Sequence, residues 1–169
     1  MARNWRELSH LAGRFARSFR PPPVTAEDEA WARARLRPEE LALWSAQAPV
    51  DRAHSLAVAR AVVRGTSTEG VPAWVGPAAL LHDVGKADAG LGSVGRAVAT
   101  VVELAGLGRA PGRLGRYLHY PEVGADRLAA VGAAPLVVAW AREHHLPPSQ
   151  WTVPRPWADR LAAADHCAR

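Results

Sequence analysis

Apolar residues recur at three- and four-residue intervals along most of the chain, and prolines and glycines cut that pattern into short runs. The pattern predicts a succession of amphipathic helices. The first carries Trp5, Leu8, Leu11, Ala12, Phe15 and Phe19, ringed by Arg3, Arg6, Arg14, Arg17 and Arg20, and stops at Pro21-Pro22-Pro23. Thr25 with Asp28 three positions on reads as a second helix start, continued by Trp31 and Leu36. Pro38 opens a short helix that places Leu41 and Trp44 on one side. Asp51 reads as the cap of a helix containing Ala53, Leu56, Ala57, Ala61 and Val62, which puts His54 in its first turn. Pro77 through Val84 reads as a small apolar helix ending near Gly85. Ser93 then begins a helix with Val98, Val101, Val102, Leu104 and Ala105. Pro121 starts another with Val123, Leu128 and Val131, and Pro135 a further one through Val137, Val138 and Trp140 that breaks at Pro147-Pro148. In the last, delimited by Pro154 and Pro156, Trp157, Leu161 and Asp165 recur every fourth residue. The expectation is an all-α compact helical bundle, with residues 1–24 an N-terminal helix and proline-rich connector packed on a domain spanning residues 25–169.

Composition supports one folded domain: 169 residues with 49% apolar content bury a real core, and seven Trp supply large anchors among many alanines. The net charge of +5 is modest and suits either solubility or an anionic ligand. Of 21 basic residues only Lys86 is a lysine, a compact ammonium suited to a phosphate contact. Arg109, Arg113 and Arg116 read as a solvated face, with phosphate binding as the alternative. Cys167 is the sole cysteine, so no intramolecular disulfide forms and a reducing compartment is expected. With neither a secretory leader nor an apolar run of membrane-spanning length, the chain is expected to be cytoplasmic with no membrane span. Positive charge favours nucleic-acid binding, and the lack of a recognition module disfavours it.

Candidate chemistry lies in an ordered set: His54, His82-Asp83, His119, His144-His145 and Asp165. Imidazoles ligate borderline transition metals, and an aspartate bridges two cations with its two oxygens. Asp165 on an apolar stripe calls for a donor, a metal or a boundary location near solvent. Zinc, manganese, nickel, cobalt and iron all suit such a set, one or two ions being held.

The local words His54-Ser55-Leu56-Ala57-Val58-Ala59, His82-Asp83-Val84-Gly85-Lys86, His119-Tyr120-Pro121-Glu122-Val123-Gly124-Ala125, Glu143-His144-His145 and Ala164-Asp165 resemble the HD superfamily of metal-dependent phosphohydrolases. They are most similar to its H…HD…H…HH…D variant, and cover about two-thirds of the chain. The resemblance implies an HD-domain helical bundle over residues 25–169. It implies a first metal site of His54, His82, Asp83 and Asp165, and a second of His119, His144 and His145 bridged by Asp83. It implies hydrolysis of a phosphate ester by a cation-activated water, with Asp83 and Lys86 as catalytic residues and Lys86 on the phosphate. Leu146-Pro147-Pro148 stands where HD-GYP phosphodiesterases carry Gly-Tyr-Pro, and Val50 one turn before His54 argues against a third metal. The expected substrate is therefore a nucleotide or another small phosphate ester. A cyclic dinucleotide phosphodiesterase and a non-catalytic, metal-stabilised nucleotide-binding or interaction protein are the alternatives.

Overall fold

The computed structural model describes residues 23–64, 70–89 and 119–168. The expected N-terminal helix, the Ser93 helix and the Arg109, Arg113 and Arg116 region lie outside them. The described residues are all-helical: α1 (Ala26–Arg33), α2 (Pro38–Ser45), α3 (Pro49–Arg64), α4 (Val75–Leu81), α5 (Lys86–Ala89), α6 (Tyr120–Ala130), α7 (Pro135–Glu143) and α8 (Arg155–Cys167), with a 3-10 turn at Pro148–Gln150. No helix among them is long and apolar enough to cross a membrane.

The bundle is built around α4. Six of its seven residues, Val75, Gly76, Ala78, Ala79, Leu80 and Leu81, are buried. Small side chains let neighbours pack on several sides, and α2, α3 and α7 all pack against it. Around this axis α3 also packs on α8, and α7 on α6. Trp44 and Trp140 fill the largest spaces in the core. The Trp44 indole donates to Ser55 Oγ at 3.1 Å, and that hydroxyl donates to the Arg52 carbonyl at 3.0 Å. This buried relay fixes the rotation of α3 and therefore the direction in which His54 leaves it.

The helix ends follow local chemistry. At α1, Thr25 Oγ1 accepts from Asp28 N–H at 3.1 Å while the Asp28 carboxylate accepts from Thr25 N–H at 2.9 Å, a reciprocal cap. Leu36 falls after this helix rather than within it, yet is buried in the turn that follows. At the end of α6, Gly132 takes a φ of 70°, and the N–H groups of Gly132 and Ala133 close onto the carbonyls of Ala129 and Leu128. Two starts lie earlier than the sequence suggested: α3 begins at Pro49 instead of Asp51, and α4 at Val75 instead of Pro77. Both reflect one fact, that proline is tolerated throughout the first turn, where its missing N–H has no partner to lose. His54 accordingly stands in the second turn of α3.

Candidate metal centre

Helix α4 delivers its burial directly to the site. His82 is its C-cap residue and Asp83 follows, both 2% exposed. A run of tight turns continues to Lys86, whose N–H donates to the Asp83 carbonyl at 3.0 Å. Gly85 makes this path possible: a Cβ there would sit 1.9 Å from the Tyr120 carbonyl oxygen and 2.7 Å from the Gly124 nitrogen. The chain after His82-Asp83 thus lies backbone against backbone on the first turns of α6, which sets Lys86 beside Tyr120.

His82 Nδ1–H donates to the Ala79 carbonyl at 2.9 Å, leaving the lone pair on Nε2. That Nε2 is buried without a hydrogen-bond partner. Its nearest polar neighbours are Asp83 Oδ2 at 3.4 Å and Asp165 Oδ1 at 3.8 Å. Burial pushes the His82 imidazole down to about 4, although Asp83 and Asp165 pull it up, so no proton sits on Nε2 near neutral pH. Three acceptors face one another with no donor among them.

Asp83 Oδ1 is likewise buried and orphaned, with His144 Nε2 at 3.6 Å. The His144 ring is oriented as His82 is, its Nδ1–H pointing at the carbonyls of Ala141 (3.0 Å) and Trp140 (3.2 Å). Lys86 Nζ lies 2.5 Å from Asp83 Oδ2. Burial works to raise the Asp83 carboxyl, yet His82, the Lys86 ammonium and His144 together hold it well below the usual carboxylate range. Asp83 is an anion.

At the rim, His54 on α3 and Asp165 on α8 meet through Nε2 and Oδ1 at 2.8 Å. The carboxylate that interrupts the apolar stripe of α8 thereby finds its partner. The ligand atoms of His54, His82 and Asp165, and those of His82, Asp83 and His144, form two groups whose members lie within 4.8 Å of one another. Tetrahedral and octahedral sites with bonds of about 2.1 Å have donor–donor edges of roughly 3.0–3.4 Å. Observed separations of 2.8, 3.4, 3.6 and 3.8 Å straddle that range, and imidazole nitrogens, one of them without a hydrogen-bond partner, beside carboxylate oxygens are the donor set a divalent transition metal takes. The residues fit a cation.

Placement of the remaining residues is uneven. His145 is exposed, its ring centroid 4.1 Å from that of His144, and its Nε2 meets the Tyr120 hydroxyl. His119 is exposed at the N-cap of α6 and belongs to neither group.

Sequence reasoning gave no role to two residues that shape this end of the site. Tyr120 is buried, with its hydroxyl also 3.3 Å from His144 Nε2 and its ring 4.7 Å from Lys86 Nζ. Glu143 is buried too, accepting from Thr152 N–H and Thr152 Oγ1, both at 2.7 Å. It ties the end of α7 to the strand-like segment beyond the proline turn, holding the adjoining pair of histidines. The available signal was its place directly before two histidines and a helix break. No family model, curated protein or solved structure matches this chain, so the reading of the centre stands on its own geometry.

Proposed function

We propose that the chain is a metal-dependent phosphohydrolase acting on a nucleotide or another small phosphate ester. The observation that carries this reading is the pair of orphaned buried atoms, His82 Nε2 and Asp83 Oδ1, with further imidazoles and a carboxylate around them. His54, His82, Asp83 and Asp165 would hold one cation, and His144 with the other oxygen of Asp83 would face a second. A bound divalent cation supplies an acidified water and offsets charge on phosphate oxygens.

The chain's own residues do the rest. Asp83, kept ionised by Lys86, presents its two oxygens to different histidines. An ammonium carries three N–H donors, so Lys86 holds Asp83 and a phosphate oxygen at once. The backbone bonds of His82 and His144 keep both rings in the tautomer that directs Nε2 inward, so no reorientation accompanies binding.

The test combines metal analysis with a panel containing nucleoside monophosphates, an aryl phosphate and a cyclic dinucleotide. His82→Ala and Asp83→Ala are expected to lose both bound metal and turnover. Lys86→Ala is expected to keep most of the metal and lose turnover. Undiminished hydrolysis in all three variants overturns the proposal, turnover confined to the cyclic dinucleotide makes the chain a phosphodiesterase, and saturable nucleotide binding without turnover makes it a binding protein.

A further inference from the structure

Arg35, in the turn after α1, is a half-buried cation with no carboxylate against it among the described residues. Its Nη1–H donates to the Trp31 carbonyl at 3.1 Å, its one hydrogen bond there, and its guanidinium carbon lies 3.7 Å from the centre of the Trp31 ring. Acidic groups of α1 and α2 are engaged elsewhere: Asp28 pairs with Arg60 at 2.7 Å, Glu29 with Arg52 at 3.3 Å and Glu40 with Arg37 at 3.0 Å. Burial and the neighbouring Arg60 guanidinium pull Arg35 below its ordinary pKa, as befits a cation short of an anion.

Arg35 lines a hollow of about 360 Å³ between the α1–α2 turn and the starts of α4 and α7. Trp74, Pro77, Ala134 and Val137 give it apolar walls, while Arg35, Arg37 and Glu40 supply its charge. Arg37 and Glu40 offset each other, so the walls carry the single positive charge of Arg35. A monoanion balances that charge, and a dianion overshoots it.

We propose that this hollow binds an organic monocarboxylate with a flat apolar body, its carboxylate taken by Arg35 and its body lying along Trp74 and Pro77. Four of the five N–H donors of Arg35 remain for the ligand, and two of them on one edge match the two carboxylate oxygens. Stacking on Trp31 fixes the guanidinium plane beforehand, which lessens the ordering that binding requires. The volume falls at the lower end of small-molecule cavities, about 300–1,000 Å³. None of the lining residues belongs to either candidate cation group. Pro77 stands in the first turn of α4 and His82 caps the other end, so the inference is independent of the metal-centre reading.

Titration calorimetry of the full chain with 2-naphthoate tests this, beside 2-naphthalenemethanol as the neutral counterpart and 2,6-naphthalenedicarboxylate as the dianion. Naphthoate is expected to bind once per chain, about tenfold or more tighter than either comparison compound. Arg35→Gln is expected to weaken naphthoate by about tenfold or more while retaining its helical circular dichroism. Arg142→Gln, which removes an equal charge from an exposed pair with Asp126, is expected to leave the affinity unchanged. Equal binding of the alcohol or of the dicarboxylate overturns the inference, as does undiminished affinity in Arg35→Gln. An equal loss in Arg142→Gln would mean general charge attraction and also overturns it. Absence of saturable naphthoate binding, as when the hollow is filled by the chain itself, does the same. If Arg35→Gln fails to fold, the comparison of carboxylate with alcohol on the wild-type chain decides alone.

Discussion

His82 and Asp83 are 2% exposed, whereas the side chains of His54 and Asp165 at the rim keep 18% and 13% of their surface. The inner residues are locked by backbone and helix burial, and each keeps one buried polar atom without a hydrogen-bond partner, His82 Nε2 toward Asp83 Oδ2 and Asp83 Oδ1 toward His144. The outer residues come from two different helices and satisfy each other with a 2.8 Å hydrogen bond. A cation entering the inner position breaks no hydrogen bond of His82, while one engaging the rim must displace that of His54 with Asp165. Unsatisfied buried polar atoms each cost about 1–3 kcal/mol, so the inner end gives up stability in the metal-free protein that ligand binding restores. The rim gives up little in either state.

The largest consequence falls on affinity. Asp83→Asn is expected to weaken cation binding by well over ~100-fold, since groups that merely orient a ligand are already worth about 10–100-fold. Asp165→Asn is expected to cost less, within about 10–100-fold. Titration calorimetry with manganese or zinc measures both, and equal losses would erase the distinction between the two ends.

The backbone support of the inner end comes next. Gly85→Ala forces a Cβ to within 1.9 Å of the Tyr120 carbonyl, and the rigid neighbours on both sides cannot yield cheaply. The expected loss is about 3 kcal/mol, a fall in Tm of roughly 10 °C by thermal unfolding. An unchanged Tm would mean that the chain after His82-Asp83 does not lie against α6.

Acid should act on the inner end as well. His82 has a folded pKa of about 4, below the ordinary value of 6.5, so the unfolded chain binds the extra proton first. Its contribution is complete above pH ~6.5 and is lost as pH falls toward ~4, amounting to about 3 kcal/mol in the metal-free protein. Asp83, also depressed, adds a further loss below the usual carboxylate range. Urea unfolding followed across this range is expected to show the slope in the wild-type chain and a flatter one in His82→Gln.

The smallest effect expected is that of Thr152→Val, which removes one of the two hydrogen bonds to Glu143 while the backbone N–H keeps the other. A loss of about 1 kcal/mol is predicted from chemical denaturation, with a larger drop in cation affinity at the His144 side than at the rim.

Much of this arrangement was legible in the sequence because prolines punctuate it. Pro38, Pro121 and Pro135 marked helix starts to within a residue, and Asp165 on an apolar stripe, which called for a donor, a metal or solvent, meets His54. Deep burial of His82-Asp83, both 2% exposed, was not legible, because a helix boundary leaves side chains free to be exposed and only the packing of neighbouring helices covers them. What escaped depended on contacts between distant segments or on side-chain direction at helix entrances. Nothing local distinguishes His119 from Tyr120 as the inward residue, because the rotation of α6 is fixed by the Gly85 and Gly124 contact, which no periodicity encodes. Glu143 looks like a surface charge until the chain doubles back and brings Thr152 to it. The early start of α4 was hidden because proline reads as a beginning even when, as Pro77 does, it stands third in the first turn, and that of α3 because Asp51 reads as a cap although Pro49 already opens the helix.

The central claim, that the orphaned atoms of His82 and Asp83 are cation ligands, is tested most directly by anomalous scattering from crystals of the manganese-loaded protein. A peak at about 2.0–2.2 Å from His82 Nε2 and from an oxygen of Asp83, with His54 and Asp165 completing the shell, is the result predicted. Manganese bound in the crystal at other residues, with His82 Nε2 and Asp83 outside bonding distance of every peak, would contradict it.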